Sequence, residues 1–194
     1  MSDYADRTAL VVVDVQHDFA DPAGGLAVAG GDEVVPVVNA EVAAATAAGA
    51  PVLYTQDWHP ASTPHFAKDG GTWPVHCVAG TPGAELHRDL DVRGPVVRKG
   101  TGGEDGYSGF SQRDPDSGEV APTGLDDLLR DAGVGSVVVV GLALDVCVLE
   151  TALDARRLGY GTTVLREATR PVELAPGDGE RAVARLLEAG VTVR

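Results

Sequence analysis

Residues 136–147 read SVVVVGLALDVC and place a strand directly before a cysteine. The four consecutive valines form a short, continuous apolar run, which is typical of a strand buried on both faces of a parallel sheet. The chain then reaches Cys147 and enters a helix predicted over residues 145–158, which stops at Gly159. The thiol is therefore predicted at the carboxyl end of a buried strand and near the start of a helix.

The same alternation of strand and helix runs through the whole chain. Apolar runs predict further strands at residues 8–13, 51–55, 95–99, 162–166 and 191–193. Helical patterns cover residues 33–48, with Asp32 as the expected cap, residues 123–133, where Thr123 and Asp126 resemble a capping box, and residues 180–190. This order predicts a single α/β domain over residues 1–194, with a six-stranded, mostly parallel, doubly wound sheet and helices on both faces.

Composition and charge narrow the classes of function. Hydrophobic residues make up 44% of the 194 residues, and 15 basic against 29 acidic residues give a net charge of −14. This acidic balance argues against a nucleic-acid partner. No apolar run approaches the roughly 20 residues that span a bilayer, and no signal peptide is recognisable, so we expect a cytoplasmic protein with no membrane partner. A homo-oligomer stays open, and the two cysteines are expected to be free thiols.

Three chemically active residues lie at the carboxyl ends of predicted strands: Asp14, Lys99 and Cys147. Ligands of open α/β sheets bind at this edge, so the three side chains are expected to converge there. A helix N-terminus and a lysine both favour a thiolate, and a carboxylate can accept the thiol proton. The three residues therefore predict a nucleophilic triad. The competing interpretation is that Cys147 is an inert, buried hydrophobe.

A histidine-rich segment follows the second strand. Residues 57–66 read DWHPASTPHF, and a further histidine follows in the sequence WPVHC. The candidate metal ligands are one carboxylate and three imidazoles: Asp57, His59, His65 and His76. Such a set suits one divalent transition-metal ion per chain, with zinc favoured and iron or manganese as alternatives. His17 and His87 fall outside the cluster and are interpreted as structural or solvated.

Two long irregular stretches, residues 57–94 and 100–122, are candidates for functional loops. Phe19 and Trp73 are candidate aromatic walls for a flat substrate, although core packing is the commoner use of such residues. The segment GTGGEDGYSGF at residues 100–110 lacks the lysine and hydroxyl ending of a phosphate-binding loop, and no GxGxxG follows the first strand. A nucleotide-binding domain is therefore disfavoured.

Taken together, the motifs VVVDVQHDF, QDWHPASTPHF, TWPVHCVAGTPGAELH, RKGT, GYSGF and GLALDVCV resemble the nicotinamidases (pyrazinamidases) of the isochorismatase-like cysteine hydrolases. The resemblance covers nearly the whole chain, and WPxHCVxGTPGA is its most specific part. It implies hydrolysis of nicotinamide to nicotinate and ammonia through a cysteine thioester, a step of NAD salvage. The small-molecule amide is the implied partner.

The resemblance also assigns roles to individual residues. Cys147 matches the nucleophile, Asp14 the proton shuttle and Lys99 the electrostatic partner, while the four candidate ligands match the metal site. The substrate-binding residues implied are Phe19 and Trp73, which sandwich the ring, Tyr107, which closes the pocket, and Leu142. The Leu142–Ala143 peptide matches a cis bond, and the amides of Ala143 and Cys147 match an oxyanion hole.

The substrate stays partly open at this point. His17, Leu144 and Val146 depart from residues frequent in the family, and two of them flank the nucleophile. The nearest alternative is another amidase of the superfamily, acting on a carbamoyl or maleamate-like substrate. A metal-binding module with an inert Cys147 is an alternative from a different class.

Overall fold

The computed structural model describes Tyr4 and residues 6–194 and contains a six-stranded sheet in the order β3-β2-β1-β6-β7-β8, with every pairing parallel. Its strands are β1 (Thr8–Val13), β2 (Val52–Asp57), β3 (Val96–Lys99), β6 (Ser136–Leu142), β7 (Gly161–Arg170) and β8 (Thr192–Val193). A separate antiparallel pair consists of β4 (Ser111–Arg113) and β5 (Val120–Pro122). The predicted fold class is confirmed.

Helices cover both faces of the sheet. They are α1 (His17–Ala20), α2 (Gly31–Ala47), α3 (Leu125–Asp131), α4 (Leu149–Arg157) and α5 (Asp178–Glu188). Leu10 and Val12 of β1 pack in the same hydrophobic cluster as α1 and α2. Val11 and Val13 belong to the opposite cluster, with α3, α4 and α5. Because helices cover both faces of β1, the residues that point to either face are apolar. The strand therefore forms one continuous apolar run in the sequence.

Several predicted boundaries and caps were wrong. Helix α2 begins at Gly31 with Gly30 as its N-cap at φ 70°, so Asp32 lies in the first turn and does not cap the helix. Helix α3 has Gly124 as its N-cap, so Thr123 lies one residue before the predicted position, although its hydroxyl accepts the N–H of Leu125 at 3.2 Å. Strand β7 continues to Arg170, beyond the predicted end at residue 166. Its last residues pair with the end of β6 after a register shift, a long-range contact that the local pattern does not record.

The long irregular stretches are partly ordered into short elements. The first contains 3₁₀ turns at Ala67–Asp69 and Pro82–Ala84, and the second contains the β4–β5 hairpin, which the sequence did not predict. Among the residues that the structure describes, no helix is both long and apolar enough to cross a membrane. The cytoplasmic location stays a prediction.

Candidate active site

Parallel pairing brings the charged residues of three strands to one edge of the sheet. Asp57 and Lys99 are directly paired at the ends of β2 and β3. Asp14 follows β1, and its φ of 48° lies in the left-handed region that Asp tolerates better than most residues. The hydroxyl of Thr55 donates a hydrogen bond of 2.6 Å to Asp14 Oδ1, which fixes the carboxylate.

The Lys99 ammonium connects these groups. Its side chain is fully buried, and Nζ lies 2.7 Å from Asp14 Oδ2 and 3.7 Å from Cys147 Sγ. The same ammonium contacts Asp57 Oδ1 and the carbonyl of Gly106. A buried cation with two carboxylates and a carbonyl is well compensated, which a lone buried ammonium would not be.

Burial and pairing set the charges of this cluster. Burial alone would lower the pKa of Lys99, but the Asp14 and Asp57 carboxylates raise it well above its ordinary value, so the ammonium stays charged. Burial raises the pKa of Asp14 to about 6, although Lys99 opposes the shift. Burial also acts against ionisation of Asp57, but the Lys99 ammonium together with His59 and His76 outweighs it and holds the pKa of Asp57 well below its usual range. Asp14 is therefore the carboxylate of this pair that titrates near neutral pH.

Cys147 lies in a π-helical turn, Leu144–Val148, which leads directly into α4. The peptide bond between Leu142 and Ala143, just before this turn, is cis, as the resemblance implied. The cysteine sulfur lies within 4.8 Å of a carboxylate oxygen of both Asp14 and Asp57. The structure thus brings the three predicted triad residues together.

The expected charge state of Cys147 was wrong. Burial raises the pKa of its thiol well above the ordinary value, and the opposing effect of Lys99 is smaller. The two nearby carboxylates, Asp14 and Asp57, act in the same direction as burial. The resting cysteine is therefore a neutral thiol, and a nucleophilic role would require a base that accepts its proton.

The three clustered histidines form a buried group beside Asp57. The ligand atoms of His59, His65 and His76 lie within 4.8 Å of one another. Asp57 Oδ2 is 3.6 Å from His59 Nε2 and 3.8 Å from His76 Nε2. Among the described residues, neither ring nitrogen of His59 has a hydrogen-bond partner, although the side chain is fully buried.

This histidine group fits a divalent cation. A buried imidazole with both nitrogens unsatisfied is costly unless another group supplies the missing interaction. Burial lowers the pKa of His76 to about 4 and also lowers that of His65, so both rings are neutral at pH 7, which is the form that binds metals. His76 Nδ1 lies 2.7 Å from the carbonyl of Pro74, which leaves Nε2 with the lone pair.

A small pocket of about 350 Å³ opens beside the thiol and the histidines. It is lined by Phe19, Leu26, Asp57, His65, Trp73, His76, Gly106, Tyr107, Ala143, Val146, Cys147 and Val172. The indole Nε1–H of Trp73 donates a 3.0 Å hydrogen bond to Tyr107 Oη, which joins two loops at the pocket. Leu142 differs from these residues, because its side chain is fully buried in the hydrophobic core and does not line the pocket.

The two remaining histidines form a separate cluster. His17 Nδ1 and His87 Nε2 lie 2.6 and 3.1 Å from the two carboxylate oxygens of Asp21. The backbone N–H groups of Arg88 and Asp89 donate to the other ring nitrogens. Those nitrogens must be unprotonated acceptors, so each ring donates its single N–H to Asp21. This arrangement satisfies both rings and agrees with the structural interpretation of His17 and His87.

Comparison with known proteins places this architecture in a family. The profile described as Isochorismatase domain matches residues 8–193. The chain belongs to the isochorismatase family. The chain is 37% identical to a nicotinamidase of Escherichia coli, over 95% of this chain and 93% of that protein. It is 42% identical to a nicotinamidase/pyrazinamidase of Mycobacterium tuberculosis, over 84% of this chain and 87% of that protein.

A solved structure is similar over almost the full length of this isochorismatase-family chain. The pyrazinamidase of Pyrococcus horikoshii in complex with zinc has a TM-score of 0.85 and 38% sequence identity. The match covers 97% of this chain and 98% of that one. The likeness therefore extends over nearly the whole chain.

Sequence reasoning missed four residues of this isochorismatase-family site. Leu26 and Val172 line the pocket, but nothing in their local sequence distinguishes them from core residues. Asp105 contacts His65, with 3.0 Å between Asp105 Oδ1 and His65 Nδ1. Gly106 accepts a hydrogen bond from Lys99, and a Cβ there would lie 2.7 Å from Asp57 Oδ1. Asp105 and Gly106 lie in the glycine-rich segment 100–110, in which Tyr107 was the one residue that the sequence assigned to the site.

Proposed function

We propose that this protein is a nicotinamidase, which hydrolyses nicotinamide and pyrazinamide-like amides to the acid and ammonia. The observation that carries the proposal is the buried Asp14–Lys99–Cys147 cluster, whose cysteine lines a pocket shared with aromatic side chains and two of the clustered histidines. The aromatic side chains Phe19, Trp73 and Tyr107 line this pocket and suit a flat, ring-shaped amide. The names of the relatives from Escherichia coli and Mycobacterium tuberculosis support the same activity.

Asp14 is the base that activates Cys147. With a pKa of about 6, the Asp14 carboxylate is ionised at neutral pH and can accept a proton. The Cys147 thiol transfers its proton to Asp14 as sulfur attacks the amide carbon, and the new C–S bond converts the carbonyl into an oxyanion. The Lys99 ammonium, 3.7 Å from Sγ, stabilises the negative charge that develops on sulfur.

The backbone amides of Ala143 and Cys147 are the proposed donors to the oxyanion. When the tetrahedral intermediate collapses, Asp14 returns its proton to the amide nitrogen, the C–N bond breaks, and ammonia leaves. The acyl group is then held as a thioester. Asp14 next removes a proton from water as the water oxygen attacks the thioester, and this proton returns to the Cys147 sulfur when the acid is released.

The proposed metal ligands are Asp57, His59, His65 and His76, with zinc as the favoured ion. The unpartnered, fully buried His59 ring and the neutral His65 and His76 rings support this assignment, and the similar pyrazinamidase from Pyrococcus horikoshii is described in complex with zinc. When bound, the ion supplies a Lewis-acid attachment point for the ring nitrogen of the substrate.

The side chains of the pocket orient the ring. Phe19 and Trp73 are the proposed walls, and Tyr107 restrains Trp73 through their hydrogen bond. Asp57 lies between the catalytic cluster and the histidine group. Its Oδ1 contacts Lys99, while its Oδ2 faces His59 and His76. A ring held at the histidine end would therefore present its amide to Cys147. We place the reaction in NAD salvage.

Ammonia release from a panel of amides tests this proposal. Nicotinamide and pyrazinamide should be hydrolysed with the highest kcat/KM, and benzamide, which lacks the ring nitrogen, should be a poor substrate. The panel also contains maleamate and an N-carbamoyl amide, which represent the other amidases of the superfamily. Preference for either of these over nicotinamide would refute the nicotinamidase assignment.

A further inference from the structure

Three consecutive residues in the glycine-rich segment contact three parts of the proposed site. The carboxylate of Asp105 contacts His65, one of the proposed metal ligands. The carbonyl of Gly106 accepts a hydrogen bond from Lys99 and lies 3.9 Å from the Cys147 sulfur. The hydroxyl of Tyr107 accepts from the indole of Trp73. The position of residues 105–107 is therefore linked to the histidines, the nucleophile and the pocket wall at once.

The backbone around Asp105 is held on both sides. Its N–H donates to the carbonyl of Arg113 at 2.7 Å, and the Arg113 N–H donates back at 3.3 Å. The hydroxyl of Thr63 donates a 2.7 Å hydrogen bond to the carbonyl of Gly103, so the loop that carries His65 is attached to the same segment. These contacts give the Asp105 carboxylate a defined position, and its side chain is only 14% exposed.

We propose that Asp105 is a positioning residue for the metal centre, which accepts the Nδ1–H of His65 and so directs the Nε2 lone pair to the ion. The inference rests on the proposed function, because it takes His65 as a ligand. An imidazole with Nδ1–H fixed by a carboxylate has a single tautomer, a restricted ring orientation and a more basic Nε2. His76 has a carbonyl, that of Pro74, in the corresponding position.

Asp105 also differs from its neighbour Glu104 in a way that supplies a control. The Glu104 carboxylate accepts a hydrogen bond of 2.8 Å from the backbone N–H of Gly102. Within the described part of the chain, it makes no hydrogen bond to His65. Glu104→Gln therefore removes one acidic charge from the same loop without altering the histidine cluster. Comparison with Asp105→Asn separates a specific contact from a change in loop charge.

The experiment measures zinc affinity of the metal-stripped protein by competition with a chromophoric chelator. We expect Asp105→Ala to raise the zinc Kd by about 10- to 100-fold, the usual effect of losing such a partner. Asp105→Asn keeps an acceptor but loses the charge, so its Kd should lie between those of the wild type and Asp105→Ala. Glu104→Gln should bind zinc with the wild-type Kd. In cobalt-substituted protein, Asp105→Ala should shift the visible absorption bands, whereas Glu104→Gln should not.

A merely structural role would give a different result. It would lower the melting temperature of the metal-free protein and leave the zinc Kd and the cobalt spectrum unchanged, and this outcome would overturn the inference. A positioning role also requires that excess zinc restore most of the kcat of Asp105→Ala, since the ion's remaining ligands are intact. If Asp105→Ala does not fold, the zinc affinities of Asp105→Asn and Glu104→Gln are compared instead. Equal affinities would overturn the inference.

Failure of the inference is distinguishable from failure of the proposed function. A wild-type protein that binds zinc and hydrolyses nicotinamide, with Asp105 variants of unchanged affinity, would refute only the role of Asp105. A wild-type protein that binds no zinc would refute both the metal centre and the role of Asp105. Wild-type zinc binding without nicotinamide hydrolysis, together with a raised Kd in Asp105→Ala, would support the positioning role and refute the nicotinamidase assignment.

Discussion

Lowering the pH from 7 to 5 should reduce kcat/KM for nicotinamide about tenfold, because Asp14 loses the charge that makes it a base. Burial raises the pKa of this carboxyl from 3.8 to about 6. The ionised fraction then falls from about nine tenths at pH 7 to about one tenth at pH 5. An aspartate with an ordinary pKa would still be more than about nine tenths ionised at pH 5, and activity would fall only below about pH 4.

The assay is ammonia release under kcat/KM conditions between pH 4.5 and 8, with zinc content measured at every pH. The metal measurement is needed because protonation of His65 or His76 would also remove activity, although burial lowers the pKa of both rings and delays that loss to lower pH. Asp14→Asn supplies the control: it should lose about 10²- to 10⁴-fold in rate. A wild-type profile that stays flat down to pH 4.5 with bound metal would refute the assignment of Asp14 as a buried base.

Three substitutions test the rest of the cluster. Cys147→Ala should abolish ammonia release while the fold and zinc content are retained, and measurable residual turnover would exclude covalent catalysis by this sulfur. Gly106→Ala should reduce kcat about tenfold or more, since the added Cβ would lie 2.7 Å from Asp57 Oδ1. Gly102→Ala is the control and should keep a kcat near that of the wild type, because a Cβ at Gly102 meets only the flexible end of a glutamate side chain. Lys99→Met should raise the pKa of the Cys147 thiol, measured by iodoacetamide alkylation against pH. The substitution should also cost about 3–5 kcal/mol of stability, because it leaves the buried carboxylates uncompensated. An unchanged alkylation profile would place Lys99 outside the site.

The sequence was sufficient to predict the parallel sheet and the edge of that sheet at which the candidate site lies. Apolar runs such as residues 136–141 are long enough to identify buried parallel strands, and the carboxyl ends of parallel strands meet at one edge. The sequence alone therefore predicted that Asp14, Lys99 and Cys147 lie close together. The clustering of histidines near Asp57 was also visible in the sequence, because three of the four proposed ligands lie within residues 57–65.

The tertiary structure decided the protonation states and the contacts between loops. The helix start and the lysine near Cys147 predicted a lowered thiol pKa, but burial reversed the sign, and burial depends on how every surrounding segment packs. Asp105 lies 40 residues from His65 in the chain, within a segment that has no regular period, so no local pattern could pair them. Strand and helix periodicities record which face of one element is buried, whereas desolvation and loop contacts depend on distances between residues far apart in sequence.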